Sequence, residues 1–101
     1  MIPAILKSIV VIGSINMYLV CRTPRMPLPG ETLLGSDFFT APGGKGANQA
    51  VAAARLGGDV HFIGRVGDDG FGERLLSGLI DNKVRTEYIA AIRGVPGGII
   101  P

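Results

Sequence analysis

Ala41-Pro42-Gly43-Gly44-Lys45-Gly46-Ala47-Asn48-Gln49-Ala50 is a glycine-rich turn that runs straight into an alanine-rich segment. Three glycines within four residues strip away the β-carbons that would hold a ligand off the backbone. A helix opening here aims its unpaired N–H groups back at the same gap. Lys45 and Asn48 add a cation and a two-faced amide at the mouth. The combination fits a site for a small anionic or hydroxyl-rich molecule. Two common glycine motifs do not fit. The phosphate-binding loop G-x-x-x-x-G-K-[ST] needs Gly and Ser/Thr where this chain has Phe39 and Gly46. The dinucleotide fingerprint started at Gly44 needs a third glycine where Gln49 stands.

Upstream, Ser8 to Ile12 reads as a strand apolar on both faces, the pattern of a sheet covered on two sides. Its run Ile9-Val10-Val11-Ile12 is too short and too β-branched for a signal peptide, and no small-residue cleavage site follows. Gly13-Ser14-Ile15-Asn16 turns at the carboxyl end of that strand, where open α/β sheets bind ligands. Met17–Arg22 and Thr32–Thr40 read as two further extended segments, joined by a loop with Pro24, Pro27 and Pro29 that forbids a helix. The expected form is an antiparallel pair, a flap appended to the main sheet.

Downstream, Ala47, Ala50, Val51 and Ala54 mark one face of a helix ending at Gly57-Gly58. Val60–Val66 is the next strand. Asp68 and Asp69 precede a second helix with the apolar stripe Leu75, Leu76, Leu79 and Ile80, stopped near Asn82. Thr86–Ile92 is the last expected strand. Each helix links two strands, which implies right-handed crossovers and a largely parallel sheet. The stretch Gly94–Pro101 opens a strand without continuing it, and this suggests a fragment of a longer protein or a truncated reading frame.

The composition excludes several classes of function. At 101 residues the chain is one small domain or part of a larger one. Its net charge of +2 is scattered without a basic block, so it carries no nucleic-acid footprint. No segment has the length of apolar residues that a membrane span requires. The single cysteine, Cys21, has no internal disulfide partner and fits a reducing cytoplasm. Cys21 is expected to pack in the flap. His61 is expected to lie in a strand without an Asp or Cys partner, and neither residue points to metal binding or nucleophilic chemistry.

Four segments occur in order: Gly13-Ser14-Ile15-Asn16-Met17, Pro29-Gly30-Glu31-Thr32, Gly43-Gly44-Lys45-Gly46-Ala47-Asn48-Gln49-Ala50 and Gly64-Arg65-Val66-Gly67-Asp68-Asp69-Gly70-Phe71-Gly72. Together they resemble the ribokinase branch of the PfkB-type carbohydrate kinase family, from about Ser8 to the end of the chain. The resemblance implies a three-layer α/β/α sandwich, here partial, with residues 1–101 as its amino-terminal part and a β flap that closes over the sugar and pairs with its twin in a homodimer. It also implies transfer of the γ-phosphate of ATP to a sugar hydroxymethyl group, with magnesium and a monovalent cation such as potassium. By the same resemblance Asn16, Gly44, Lys45 and Asn48 contact a ribose-like sugar.

Two departures bear on this. The family has an aspartate two residues after the motif asparagine, where it accepts hydrogen bonds from two adjacent sugar hydroxyls. This chain has Tyr18 there, either a damaged codon or a change of specificity. The family's catalytic aspartate, in a Gly-Ala-Gly-Asp-type segment, has no match in the chain, and the nucleotide and metal sites lie downstream in the family. The expectation is therefore a chain inactive alone: the sugar-binding part of a kinase, a non-catalytic sugar-binding or dimerising module, or a non-functional remnant.

Overall fold

The computed structural model describes residues 7–93. The elements run β1 (Ser8–Ile12), β2 (Asn16–Arg22), β3 (Ser36–Gly43), α1 (Lys45–Arg55), β4 (Asp59–Gly67), α2 (Gly70–Asp81) and β5 (Arg85–Ile92). The expected opening of a strand after Gly94 lies outside the described residues.

Strands β1, β4 and β5 form a parallel sheet in that order, with Ile9 beside Val60 and Ile63 beside Tyr88. Both crossovers step the same way across the sheet. Right-handed connections then put both helices on one face, and one core joins them to it. Ala47, Ala50 and Ala54 of α1 and Leu75 and Leu79 of α2 pack with Val60, Phe62 and Val66 of β4. The alanines let α1 lie close to the sheet. Ile80, expected in the α2 stripe, is instead 57% exposed; it follows Leu79 by one position and so turns away from the face that Leu75 and Leu79 bury.

The other face of the sheet is bare. β1 was expected to be buried on both sides, yet Val10 is 55% and Ile12 76% exposed. The described residues supply helices to one face only, so two of the three layers are present.

The flap is a separate two-stranded antiparallel ribbon of β2 and β3. Its second strand begins and ends later than the expected Thr32–Thr40. Pairing of Asn16 with Gly43 draws β3 on through Pro42 to the glycine turn, and a register shift between Val20 and Arg22 ends the regular ladder near Ser36. A proline fits here because each strand of a two-stranded ribbon has an unpaired side. Pro29-Gly30 occupies the centre of a turn in which Glu31 N–H donates to the Leu28 carbonyl (2.9 Å), with Gly30 at φ 78°. Arg25 grips the Glu31 carboxylate through two 2.6 Å bonds, and Leu28 N–H adds a third at 2.9 Å. Arg25 and then Leu28 hold the Glu31 carboxyl below its ordinary pKa.

Helix α1 starts two residues before the expected Ala47, at Lys45, and its chain leaves through Gly57 at φ 95°. Asp69 caps α2 as expected, its Oδ1 accepting from Gly72 N–H at 2.9 Å. Asp68 does other work: its N–H donates to the Ile92 carbonyl at 3.1 Å. Asn82 ends α2 and donates from its side chain to the Gly78 carbonyl at 2.8 Å.

Candidate functional site

The glycine turn sits where three backbones converge. Gly44 is the single residue between β3 and α1, at φ 100° and ψ 132°. That backbone is strained for any residue with a side chain, and a β-carbon there would also lie 2.5 Å from the Ser14 carbonyl oxygen. Two residues on, a β-carbon at Gly46 would lie 2.9 Å from Gly13 Cα. The first turn of α1 therefore rests directly on the backbone leaving β1.

Backbone hydrogen bonds hold that contact. Ala47 N–H donates to the Ser14 carbonyl at 3.1 Å, and Asn48 N–H to the Gly44 carbonyl at 2.9 Å. The helix has no side-chain cap and no acidic residue in its first turn. Its amino end keeps the partial positive charge of an open helix terminus, with the Lys45 ammonium beside it.

The flap delivers the remaining residues. Asn16 opens β2 directly opposite Gly43. Side chains two apart share a face of a strand, so Tyr18 lies on the same side of the ribbon as Asn16. Its ring covers Gly43: a β-carbon there would fall on the ring, inside contact distance of Cε2 and 2.7 Å from Cδ2. Asn16, Tyr18, Gly44, Lys45 and Asn48 are thus gathered around one turn at the carboxyl end of β1. Lys45 and Asn48 are exposed there, and Asn16 is half-buried.

A cavity of about 580 Å³ lies on the other side of this turn, between α1 and α2. Its lining is mainly apolar, with Ile15, Val51, Leu75 and Leu79, and it shares Gly43, Ala47 and Asn48 with the residues above. The size suits a small molecule. Asn16, Tyr18, Gly44 and Lys45 do not line it, and Asn48 borders both the turn and the cavity.

Two other expectations change. His61 does have acidic neighbours: Asp59 Oδ2 at 3.7 Å from Nε2, and Glu87 Oε1 at 3.2 Å from Nδ1. Sequence spacing misses Glu87 because it arrives from the neighbouring strand. Asp59 is already bound by Arg85 at 2.7 Å and by the Ser8 hydroxyl at 3.1 Å, which in that order hold its carboxyl below the usual range. Cys21 lies in the flap with Gly35 against its sulfur, but it is exposed rather than buried.

A one-sided parallel sheet, a flap beside its carboxyl edge and a glycine turn between them define part of an α/β protein. The family model described as pfkB family carbohydrate kinase matches residues 6–98, and the chain belongs to that family. It is 50% identical over 93 residues to a ribokinase of Bacillus subtilis, covering 92% of this chain and 32% of the relative. A ribokinase of Lactococcus lactis is 50% identical over 93 residues, covering 91% and 31%. The structure of Arabidopsis thaliana ribokinase complexed with ribose and ATP superposes with a TM-score of 0.82 at 34% identity, covering 92% of this chain and 30% of that one. The chain thus spans about a third of the length of the relatives it matches.

Proposed function

We propose that this chain is the sugar-binding, amino-terminal part of a ribokinase-like kinase, whose whole would phosphorylate a ribose-like sugar from ATP in the cytoplasm. One observation carries the reading. Antiparallel pairing of Asn16 with Gly43 brings a flap amide to the Gly44-Lys45 turn and the Asn48 side of α1. Neighbouring sugar hydroxyls both donate and accept. The Asn16 and Asn48 amides do both, while the Gly44 backbone and the Lys45 ammonium supply the close approach and the charge. The names of the relatives, ribokinases, and the ribose and ATP in the Arabidopsis structure support this choice of ligand.

The chemistry of phosphoryl transfer does not fit these residues. Asn16, Gly44, Lys45 and Asn48 include no carboxylate to take the proton of a sugar hydroxymethyl group. Asp69 is committed to its helix cap. No group of three or more His, Cys, Asp or Glu side chains able to hold a metal occurs among the described residues. By the likeness to the family, ATP, magnesium and a monovalent cation would be held by the part of the relatives' length that this chain does not span. The exposed apolar strands of the flap, with Leu19, Phe38 and Phe39, favour a homodimer through the ribbon. No helix among the described residues is long and apolar enough to cross a membrane.

Thermal unfolding of the chain in rising concentrations of pentose tests the reading. A ligand that binds only the folded state raises the midpoint, and Lys45→Ala should abolish the rise. A midpoint indifferent to every pentose would remove the sugar-binding assignment. The same preparation, given ATP and magnesium, should leave ribose unphosphorylated; turnover above background would show that a base is present.

A further inference from the structure

Tyr18 is seated in the cradle. Gly43, opposite Asn16, has no β-carbon, and the ring fills the space this leaves. The residue remains 43% exposed, so it presents a surface beside Asn16 as well as packing against the backbone. A side chain accommodated in this way behaves as a wall of the site.

The wall has a definite chemistry. A carboxylate at this position would offer two charged acceptor oxygens, enough for two neighbouring hydroxyls. A phenol offers one oxygen and a broad apolar ring. A sugar that placed two neighbouring hydroxyls here would satisfy one and press the other against the ring without a partner. A sugar with hydrogen in place of one hydroxyl would lay its C–H face on the ring and lose nothing.

We propose that Tyr18 is a specificity-determining residue that turns the cradle toward deoxy sugars and away from fully hydroxylated ones. The proposal rests on the sugar-binding assignment of Asn16, Gly44, Lys45 and Asn48.

The test is a titration of isotope-labelled chain with D-ribose, 2-deoxy-D-ribose and 3-deoxy-D-ribose, following the backbone amides of Gly44, Lys45 and Asn48 by NMR. One deoxy sugar should bind roughly fivefold or more tightly than ribose, the effect of one unpaired hydroxyl. Tyr18→Asp should reverse the order. Tyr18→Phe keeps the ring on Gly43 and should keep the deoxy preference, which separates chemistry from loss of fold. Ribose binding at least as tightly as both deoxy sugars, or an order unchanged by Tyr18→Asp, would overturn the proposal. Binding seen only after Tyr18→Asp, and only of ribose, would also overturn it and leave the cradle assignment standing. Amides that no sugar moves in any of the three proteins would overturn both.

Discussion

The Tyr18 ring lies on the backbone of Gly43, in the volume that a β-carbon of residue 43 would need. The tyrosine and the missing side chain are complementary. Neither is understood alone, because the ring is bulky for a polar cradle and the glycine has no positive φ to explain it.

That relationship predicts coupling. Gly43→Ala should cost about 1–3 kcal/mol by overpacking, and most of that cost should vanish when Tyr18 is also truncated to Ala. A double-mutant cycle in urea denaturation measures it. Additive effects would mean that the ring does not rest on Gly43 in solution.

Gly44→Ala and Gly46→Ala should both destabilise, for different reasons. The first forces a side chain into φ 100° and against the Ser14 carbonyl; the second pushes α1 away from Gly13. Each should exceed the roughly 1 kcal/mol gain expected for Gly→Ala at an unconstrained site, with opposite sign. Loss of far-UV helical signal at lower denaturant than for the parent chain is the readout.

Asp68 and Asp69 should separate cleanly. Asp69→Ala removes the cap on Gly72 N–H and should cost about 0.5–2 kcal/mol. Asp68→Ala leaves its backbone bond to Ile92 intact and should cost much less. Equal losses in thermal stability would argue against the cap.

The Pro-rich loop should loosen in acid. The Glu31 carboxyl has a folded pKa below its unfolded value because of Arg25 and Leu28. Its contribution is therefore full above the unfolded value and is lost as pH falls through the depressed one. Protection of the Leu28 amide should be flat from neutral pH to the ordinary glutamate range, then decline below it. Glu31→Gln should remove that pH dependence; a profile unaltered by the substitution would rule out Glu31 as its source.

Much of the fold was legible in local patterns. The β-branched run before Gly13, the alanine spacing of α1 and the Asp before α2 each report on a few neighbouring residues, and each element lies within a few residues of its expected place. What was not legible depends on partners distant in sequence. The end of β3 is set by Asn16, 27 positions earlier, in its register with Gly43. The exposure of β1 depends on which layers are present, and Glu87 reaches His61 only through sheet pairing. The candidate site shows the same division. Motif residues named its polar groups, but the berth for Tyr18 appears only when β2 is laid beside β3.

Both legs of the flap enter the body at one place: β2 leaves through Ser14 and Ile15, and β3 returns through Gly44, whose β-carbon position abuts Ser14. With one residue between β3 and α1, the ribbon has no slack of its own. A swing of the flap would pivot near Ser14 and Gly44 and would bear directly on the first turn of α1.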